Sequence, residues 1–170
     1  INFAAESHVD NSIIDPDSFI NTNINGTYNL LKCCYEFWMN SPQNVNDDYK
    51  HARFHQISTD EVYGSLQNHS ADEKFPYNPN SPYSASKASA DMIVRSFNVT
   101  YGLNTTISLS SNNFGPNQNI EKFIPKVIHC LKKNLPIPVY GDGKNIRDWI
   151  FVEDNCEAID KILNFANSGE

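Results

Sequence analysis

Short β-branched or apolar segments alternate with long helical patterns along this 170-residue chain, and this alternation constrains its fold more than any other feature. The segments Arg53 to Ser58 and Thr105 to Leu109 have the composition of strands, and helical patterns cover residues 15–39 and 82–101. Strands that alternate with helices are joined by right-handed crossovers and pair in parallel. The pattern therefore predicts an α/β fold with a doubly wound parallel sheet.

Capping residues mark where the two long helices begin and end. Asp15-Pro16 and Ser81-Pro82 each place a capping side chain before a proline in the first turn, and Gly102 is placed to end the second helix. The first helix is predicted to run to about Met39, because apolar and aromatic residues follow at roughly helical spacing at Phe19, Ile24, Tyr28, Leu31, Tyr35 and Trp38. The rest of the pattern predicts a strand end at 1–5, loops at 40–52 and 64–81, a helix at 121–133, short strands at 137–140 and 149–152, and a last helix at 153–165.

The charge balance is acidic, with 20 Asp and Glu against 13 Lys and Arg. Nucleic acids and anionic membranes bind clustered Lys and Arg, so we expect neither as a partner. No apolar run in the sequence approaches the roughly 20 residues of a membrane span. Cysteines 33, 34, 130 and 156 have no metal-ligand spacing, so we expect no metal site and reduced thiols in a cytoplasmic compartment.

Small and polar residues follow three of the predicted strands. They are Ala4 to Ser7, Ser58 to Glu61, and Ser111 to Asn113. In open parallel sheets, ligands bind outside the carboxyl ends of the strands. These segments therefore predict one composite site at that edge of the sheet.

Tyr83 and Lys87 lie four residues apart in a predicted helix, so their side chains share one face. A tyrosine with its ordinary pKa of ~10 is a poor base near neutral pH, but a nearby ammonium lowers that pKa. The pair predicts a tyrosine that removes the proton of an alcohol. The same spacing is also typical of solvated helix faces, where it has no chemical role.

Asp60 and Glu61 are adjacent acids at the predicted end of a strand. Neighbouring side chains on a regular strand point to opposite faces, so both can serve one pocket only where the backbone turns. Two carboxyl groups in one site can act as acid and base if one is protonated while the other is ionised. A solvated acidic turn is the alternative interpretation.

Six separated motifs carry a family resemblance over residues 2 to about 160. They are "AAESHVD", "STDEVYG", "SPYSASKASAD", "SNNFGP", "EKFIP" and "IRDWIFVEDN". In this order they resemble the extended short-chain dehydrogenase/reductase family, and within it the dTDP-glucose 4,6-dehydratases. The resemblance implies a Rossmann-like fold, NAD as cofactor and a nucleotide sugar as substrate. The triplet Thr59-Asp60-Glu61 separates this group from the related epimerases, which lack the paired acids.

The resemblance also implies a role for each catalytic residue. Tyr83, supported by Lys87, would remove the proton of the sugar C4 hydroxyl while NAD takes the C4 hydride, and Thr59 would hold the sugar. Glu61 would then remove the C5 proton, Asp60 would protonate the departing C6 hydroxyl, and the hydride would return to C6. The product would be a 4-keto-6-deoxy sugar for deoxysugar pathways such as that of rhamnose, and the enzyme would be a lyase.

Binding residues follow from the same motifs. The cofactor-binding set implied by the resemblance is Phe3, Ala4, Ala5, Glu6, Ser7, Thr22, Tyr83, Lys87 and Asn113. The substrate-binding set is Ser7, Thr59, Asn112, Lys122, Phe123, Ile124, Pro125, Val127, Pro138, Val139, Tyr140 and Arg147. A guanidinium at position 147 suits the oxygens of a diphosphate. Thr22 as a plain helix hydroxyl and Lys122 as a solvated lysine are the alternatives.

The sequence departs from the family pattern at two places. The glycine-rich phosphate loop is absent, so we expect this chain to be a segment of a longer protein that lacks the first βα units and the C-terminal end. Residues 117–120 replace a stretch that carries an aromatic and a proline in these dehydratases, which leaves the nucleotide and the hexose open. Residues 1–113 would belong to the NAD-binding domain, and residues 114–170 to the sugar-nucleotide region with a helix that returns to the core.

Two rival functions remain at this level. One is another nucleotide-sugar dehydratase or an epimerase, and the other is a non-catalytic dinucleotide-binding module. A binding module has no use for both the acid pair and the Tyr/Lys pair, which weighs against it. We also expect a homodimer formed through the two long helices.

Overall fold

The computed structural model describes residues 1–66, 70–139 and 141–170. The chain forms two compact units, one made of residues 1–110 and 159–170 and the other of residues 111–158. The larger unit contains two parallel strands flanked by helices, and the smaller one contains a second parallel pair and a helix. The α/β prediction is therefore confirmed. None of the helices in the described part combines the length and the apolar character needed to cross a bilayer.

Strands β3 (Phe54–Thr59) and β4 (Thr105–Ser110) form the parallel pair of the larger unit. They pair in register from Phe54 opposite Thr105 to Thr59 opposite Ser110, so both strands end at the same edge. Asn2 forms a parallel bridge to Gln56 on the other side of β3. Of the strand end predicted at residues 1–5, this bridge is the part that pairs with the sheet.

The N-terminal helical region is more divided than the sequence predicts. It comprises α1 (Val9–Ile14), α2 (Pro16–Phe19), a π-helix (Ile20–Gly26) and α3 (Thr27–Trp38). Asp15 caps α2 by accepting a hydrogen bond from the backbone N–H of Ser18, as its sequence position predicts. The pattern missed α1 and the π-helix, whose wider turns change which side chains point inward.

Polar residues share the buried face of this helical region with apolar ones. From Phe19 onward, its side chains that are at most 2% exposed are those of Phe19, Asn23, Thr27 and Leu31, so two polar residues lie between two apolar ones at a spacing of four. Tyr28, which also follows the helical spacing, is 45% exposed. The spacing of the apolar residues therefore does not by itself identify the buried face.

Residues 39–49 are ordered, although the sequence predicts a loop over 40–52. Strands β1 (Met39–Ser41) and β2 (Asn44–Val45) form an antiparallel hairpin, and residues Asp47–Tyr49 form a 3-10 turn. Gln43 adopts φ 61° in the hairpin turn, and its side chain donates to the carbonyls of Val99 and Thr100. These long-range bonds organise a segment that has no periodicity of its own.

Helix α4 (Pro82–Tyr101) is the longest element and begins and ends where the sequence predicts. Ser81 and Ser84 form a capping box, and Gly102 ends the helix with its N–H bonded to the carbonyl of Asn98. The C-terminal half of α4 packs into the main core. That core consists of Leu31, Met39, Phe54, Val94, Phe97 and Leu103.

His55 joins the two strands of the larger unit through its side chain. The imidazole is fully buried, with Nδ1 2.9 Å from Thr106 Oγ1 and Nε2 3.0 Å from Ser108 Oγ. Burial, the largest cause, lowers the pKa of His55 from 6.5 to about 4. The ring is therefore neutral at physiological pH, and both of its nitrogens are engaged by β4.

Helix α6 (Val152–Phe165) starts in the smaller unit and ends in the larger one. Within the larger unit, the guanidinium of Arg53 donates to the carbonyls of Ile162, Leu163 and Ala166 at the end of this helix. A cation at this position satisfies carbonyl groups that have no partner inside the helix and complements the helix dipole.

The smaller unit contains β5 (Asn112–Phe114), α5 (Phe123–Lys132) and β6 (Trp149–Phe151). Strands β5 and β6 pair in parallel from Asn112 opposite Trp149 to Phe114 opposite Phe151. The predicted strand at 137–140 is wrong for its described residues, because 137–139 are exposed and have no strand partner in the described part of the chain.

Candidate active site

The backbone turns immediately after β3, where the two acids lie. Thr59 caps a 3-10 turn (Asp60–Tyr63) by accepting a hydrogen bond from the backbone N–H of Glu61 at 3.3 Å. The same hydroxyl donates to the carboxylate of Asp60 at 3.3 Å. Asp60 and Glu61 are both half-buried. The turn thus removes the alternation of a regular strand and lets both acids lie on the same side.

Gly64 closes this turn in a conformation that requires glycine. Its φ is 76°, and a Cβ at this position would lie 2.0 Å from the carbonyl oxygen of Asn78. The Asn78 N–H in turn bonds the carbonyl of Val62. The glycine at the end of "STDEVYG" therefore lets the backbone at Asn78 pack directly against the acidic turn.

Tyr83 lies in the first turn of α4 and is 9% exposed. Its ring packs edge-to-face on Phe19, with the centroids 6.2 Å apart. The pKa of Tyr83 is raised to about 12. Burial is the largest cause, the carboxylate of Glu61 follows, a hydrogen bond with Thr59 opposes them, and Asp60 adds to the increase. The phenol of Tyr83 thus lies within electrostatic reach of both acids.

Lys87 lies one turn after Tyr83 and is 5% exposed. Its Nζ donates to the carbonyl of Ile57 on β3 at 2.6 Å. The expectation that Lys87 lowers the pKa of Tyr83 is wrong in this structure, because burial and nearby carboxylates determine a shift in the opposite direction. Burial also lowers the pKa of Lys87 itself. The sequence spacing placed both side chains on one face, but the lysine is directed at the strand backbone.

Asn23 is a buried residue that sequence reasoning missed. Its Oδ1 accepts a hydrogen bond from the backbone N–H of Glu6 at 2.9 Å, and its Nδ2 donates to the carbonyl of Glu6 at 3.0 Å and to Ser86 Oγ at 2.8 Å. The Ser86 hydroxyl then donates to the carbonyl of Tyr83 at 2.7 Å. One amide side chain therefore links the segment after the first strand to the helical turn that carries Tyr83.

The segment Phe3 to Ser7 presents small or exposed residues beside this link. Ala5 is half-buried, and the other four are exposed. The N–H of Ala4 bonds Asn2 Oδ1 at 3.2 Å, which fixes the start of the segment. Thr22 is half-buried in the π-helix, next to Asn23. The larger unit thus brings together the segment 3–7, Thr22, the acidic turn, Tyr83 and Lys87.

The smaller unit holds the other predicted residues. Asn112 and Asn113 lie on β5, Lys122 is the N-cap of α5, and Phe123 to Val127 form its first turn. A cavity of about 370 Å³ lies beside this turn. It is lined by Gly115, Asn117, Gln118, Ile120, Ile124, Pro125, Ile128, His129 and Lys132. Of these residues, only Ile124 and Pro125 were predicted to bind substrate.

Three further predicted substrate residues lie on the surface. Pro138, Val139 and Arg147 are exposed, and Nη1 of Arg147 donates to the carbonyl of Ile146. Tyr140 lies outside the described residues. No group of His, Cys, Asp and Glu in the described ranges could hold a metal ion.

The chain is similar to known proteins in both sequence and fold. A profile of the family described as GDP-mannose 4,6 dehydratase matches residues 1–169. A dTDP-glucose 4,6-dehydratase from Xanthomonas campestris pv. campestris is 50% identical over the whole chain, which covers 48% of that relative. The low-salt glycan biosynthesis protein Agl12 of Haloferax volcanii is 46% identical, and the chain covers 51% of it.

A solved structure agrees with the sequence comparison. The dTDP-glucose 4,6-dehydratase DesIV from Streptomyces venezuelae, crystallised with NAD bound, superposes with a TM-score of 0.89 at 42% identity. The superposition covers 99% of this chain and 48% of that one.

The fold defines an α/β protein with parallel strand pairs and flanking helices. This chain belongs to the family described as GDP-mannose 4,6 dehydratase, and the resemblance predicted from the six motifs is confirmed. The chain spans about half the length of the curated relatives it matches.

Proposed function

We propose that the whole protein converts a nucleotide-diphosphate glucose, with dTDP-glucose as the first candidate, to the 4-keto-6-deoxy sugar by removing water. The observation that carries this proposal is the turn after β3. There Thr59 holds the start of the turn, and the carboxylates of Asp60 and Glu61 act on the phenol of Tyr83. A phenol and two acids in one place suit a reaction that moves protons at three neighbouring atoms of one sugar.

The larger unit fits a dinucleotide cofactor. The segment Phe3 to Ser7, in which four of five residues are exposed, continues from the bridge to β3 toward the carboxyl end of that strand, which is where ligands bind in parallel sheets. We assign NAD binding to this segment together with Thr22, Tyr83, Lys87 and Asn113. When bound, NAD would accept the hydride of sugar carbon C4 and return it to C6, and its positive ring would favour the phenolate form of Tyr83.

In the first step, Tyr83 takes the proton of the C4 hydroxyl. Its pKa of about 12 means that the phenol is protonated in the protein alone, so it has to lose that proton before it can act as a base. The hydrogen bond with Thr59 favours the charged phenolate and therefore assists this step. Lys87, tied to the carbonyl of Ile57, keeps a positive charge one helical turn away.

In the second step, the two acids divide the elimination. The C4 ketone makes the C5 proton acidic, and Glu61 removes it as a base. Asp60 gives its proton to the C6 hydroxyl, which leaves as water while the C5–C6 double bond forms. Proton removal and proton donation occur at adjacent carbons, which is why two carboxyl groups are required.

The proposal divides the chain into a cofactor-binding part and a sugar-nucleotide-binding part, whose bounds differ from those of the two compact units. Residues 1–113 hold the cofactor, and residues 114–170 hold the sugar nucleotide and return to the core through α6. The proposed substrate contacts are Ser7, Thr59, Asn112, Lys122, Phe123, Ile124, Pro125, Val127, Pro138, Val139, Tyr140 and Arg147. The cavity beside the first turn of α5 supports this division, because Ile124 and Pro125 line it.

The proposal includes a homodimer formed through α3 and α4. These helices expose large apolar side chains, among them Phe37 at 65%, Met92 at 52% and Val99 at 60%. Large exposed apolar side chains can mark protein–protein contacts where they lie together. Sedimentation of the full-length protein should give the mass of a dimer, and Phe37→Asp should reduce it to that of a monomer.

A cytoplasmic location is also proposed, because all four cysteines are free.

The decisive experiment uses the full-length protein. It is incubated with dTDP-glucose, UDP-glucose or UDP-N-acetylglucosamine, and the products are weighed by mass spectrometry. Loss of one water from dTDP-glucose alone is the expected result. Water loss from another donor would change the substrate, an unchanged mass with inverted C4 would indicate an epimerase, and NAD binding without turnover would indicate a binding module.

Two variants separate the steps. Tyr83→Phe should lower the first oxidation by about 10²- to 10⁴-fold, because a general base is removed. Glu61→Gln should still oxidise C4, so the 4-keto hexose and the reduced cofactor accumulate without loss of water. Tyr49→Phe and Glu36→Gln, both on exposed surface away from the turn, are the matched controls. If both variants stop at the same step, the division of roles is incorrect.

A further inference from the structure

Asp91 is a buried carboxyl group to which the proposed reaction assigns no role. It lies on α4 one turn after Lys87 and is 2% exposed. Its Oδ2 accepts hydrogen bonds from Ser58 Oγ at 2.5 Å and from the phenol of Tyr77 at 3.4 Å. Its Oδ1 is buried and has no hydrogen-bond partner among the described residues. A buried acid with one unpartnered oxygen is costly, so its retention in the fold needs a physical reason.

The position of Asp91 relates it to the end of β3. Lys87 bonds the carbonyl of Ile57, and Asp91 bonds the hydroxyl of the next residue, Ser58. The residue after that is Thr59, which caps the acidic turn. Two side chains of helix α4 therefore hydrogen-bond to two successive residues of β3, directly before the acidic turn.

The charges around Asp91 give it a second role. The positive charge of Lys87 lowers the pKa of Asp91. The negative charge of Asp91 in turn raises the pKa of three nearby phenols, those of Tyr77, Tyr63 and Tyr83. Burial lowers the pKa of Lys87, and Asp91 is the group that opposes this effect. The carboxylate thus favours the ammonium form of a lysine that is almost fully desolvated.

We infer that Asp91 is a positioning residue for the proposed chemistry, holding the end of β3 against α4 and supplying the negative charge that keeps Lys87 an ammonium. This inference rests on the proposed function, because it assigns Asp91 to the support of Tyr83 and Lys87. It also explains why an acid stands here. An asparagine could accept the same hydrogen bonds from Ser58 and Tyr77, but it would carry no charge.

The charge of Asp91 itself depends on pH. Burial raises its pKa to about 6, while the hydrogen bond from Ser58, the charge of Lys87 and the hydrogen bond from Tyr77 lower it. The carboxylate is therefore present above that value and is neutralised below it. Removing the Ser58 hydrogen bond should raise the pKa of Asp91 further and weaken its effect on Lys87 in the neutral range.

The first test is the pH profile of kcat/KM for the sugar nucleotide, measured on the full-length protein. In Asp91→Asn, the decline at high pH that reports loss of the Lys87 proton should move to lower pH by about one unit, so activity on that limb falls about tenfold relative to wild type. Ser58→Ala should leave this limb in place, because Asp91 is still ionised there, and should lower kcat/KM only in the neutral range, where the raised pKa neutralises part of Asp91. Asp91→Glu should restore most of the wild-type profile, and Ser89→Ala, an exposed serine on the same helix, should leave it unchanged.

A purely structural role would lower kcat/KM by the same factor at every pH, and that result would overturn the inference. Should Asp91→Asn fail to fold, Ser58→Ala carries the test, since it leaves the acid in place: a loss of kcat/KM confined to the neutral range supports the inference, and an equal loss at every pH overturns it.

A second readout does not depend on activity. In protein labelled with ¹³C at lysine Cε, the Lys87 signal should titrate at lower pH in Asp91→Asn than in wild type. If wild-type protein turns over none of the nucleotide sugars while this difference is present, the proposed function fails and the link between Asp91 and Lys87 stands. If turnover is present while the Lys87 signal titrates identically in both proteins, the inference fails and the proposed function stands.

Discussion

The buried imidazole of His55 should make the folded state sensitive to mild acid. Its two nitrogens contact Thr106 Oγ1 and Ser108 Oγ, and its pKa falls from 6.5 to about 4, chiefly through burial. Between these two pH values, His55 is protonated in the unfolded chain but neutral in the folded chain. The stabilising contribution of neutral His55 is therefore complete above pH 6.5 and is lost as the pH falls toward 4. We expect His55→Asn, which offers one donor and one acceptor but does not titrate, to remove this dependence.

The magnitude follows from the difference between the two pKa values. Since one pKa unit corresponds to about 1.4 kcal/mol, the full effect of His55 is at most about 3 kcal/mol, and about 2 kcal/mol of it should be lost between pH 7 and pH 5. Asp91 acts in the opposite direction, because burial raises its pKa to about 6 and acid relieves the cost of its buried charge. That gain is about 1 kcal/mol over the same range. The raw profile of the wild type therefore understates the effect of His55.

The assay is urea denaturation of the full-length protein and of His55→Asn at pH 7 and pH 5. The free energy of unfolding of the wild type, minus that of the variant, should be smaller at pH 5 by about 2 kcal/mol. Taking this difference cancels the contribution of Asp91, which both proteins share. His51→Asn, an exposed histidine just before β3, is the control and should show no such change. An equal difference at both pH values would refute the argument that burial keeps His55 neutral.

Two other substitutions test packing and the buried amide. Gly115→Ala should lower the free energy of unfolding by about 1–3 kcal/mol in a thermal or urea melt, because the added Cβ would lie 2.4 Å from Cγ1 of Val152. Gly26→Ala is the control and should not destabilise the protein, because its added Cβ would have its nearest neighbour at 3.7 Å. Asn23→Ala should lower the free energy of unfolding by about 2 kcal/mol or more and weaken NAD binding, because it leaves both backbone groups of Glu6 without their side-chain partner. Asn25→Ala, at an exposed position in the same helical region, is its control. A loss in Asn25→Ala equal to that in Asn23→Ala would contradict this role.

The parts of the fold that could be predicted are those in which local pattern and tertiary structure agree. Helix α4 begins at a Ser-Pro cap and ends at Gly102, and both signals are read within a few residues. Strand β3 is a short segment bounded by loops in the sequence, and it is buried on both faces in the structure. The β1–β2 hairpin could not be predicted, because Gln43 organises it through carbonyl groups more than fifty residues away.

The chemistry of the site was only partly accessible for the same reason. Spacing places Tyr83 and Lys87 on one face of a helix, but it does not say what each polar end meets. The pKa of Tyr83 depends on how deeply the ring is buried and on the acids that face it, and both are properties of the folded chain. A lysine that bonds a strand carbonyl instead of the phenol cannot be distinguished by sequence position.

Asn23 lies on a buried helix face that the apolar residues alone do not reveal. The apolar and aromatic residues of this region follow at roughly helical spacing through Tyr28, which is 45% exposed. The buried stripe instead has two polar members, Asn23 and Thr27, between Phe19 and Leu31 at a constant spacing of four. Buried polar side chains persist only where they find partners, and here the partners are Glu6, Ser86 and Asn2. A polar pair in phase with two large apolar residues therefore indicates a helix face that binds another chain segment, and here that segment is the proposed cofactor strand end.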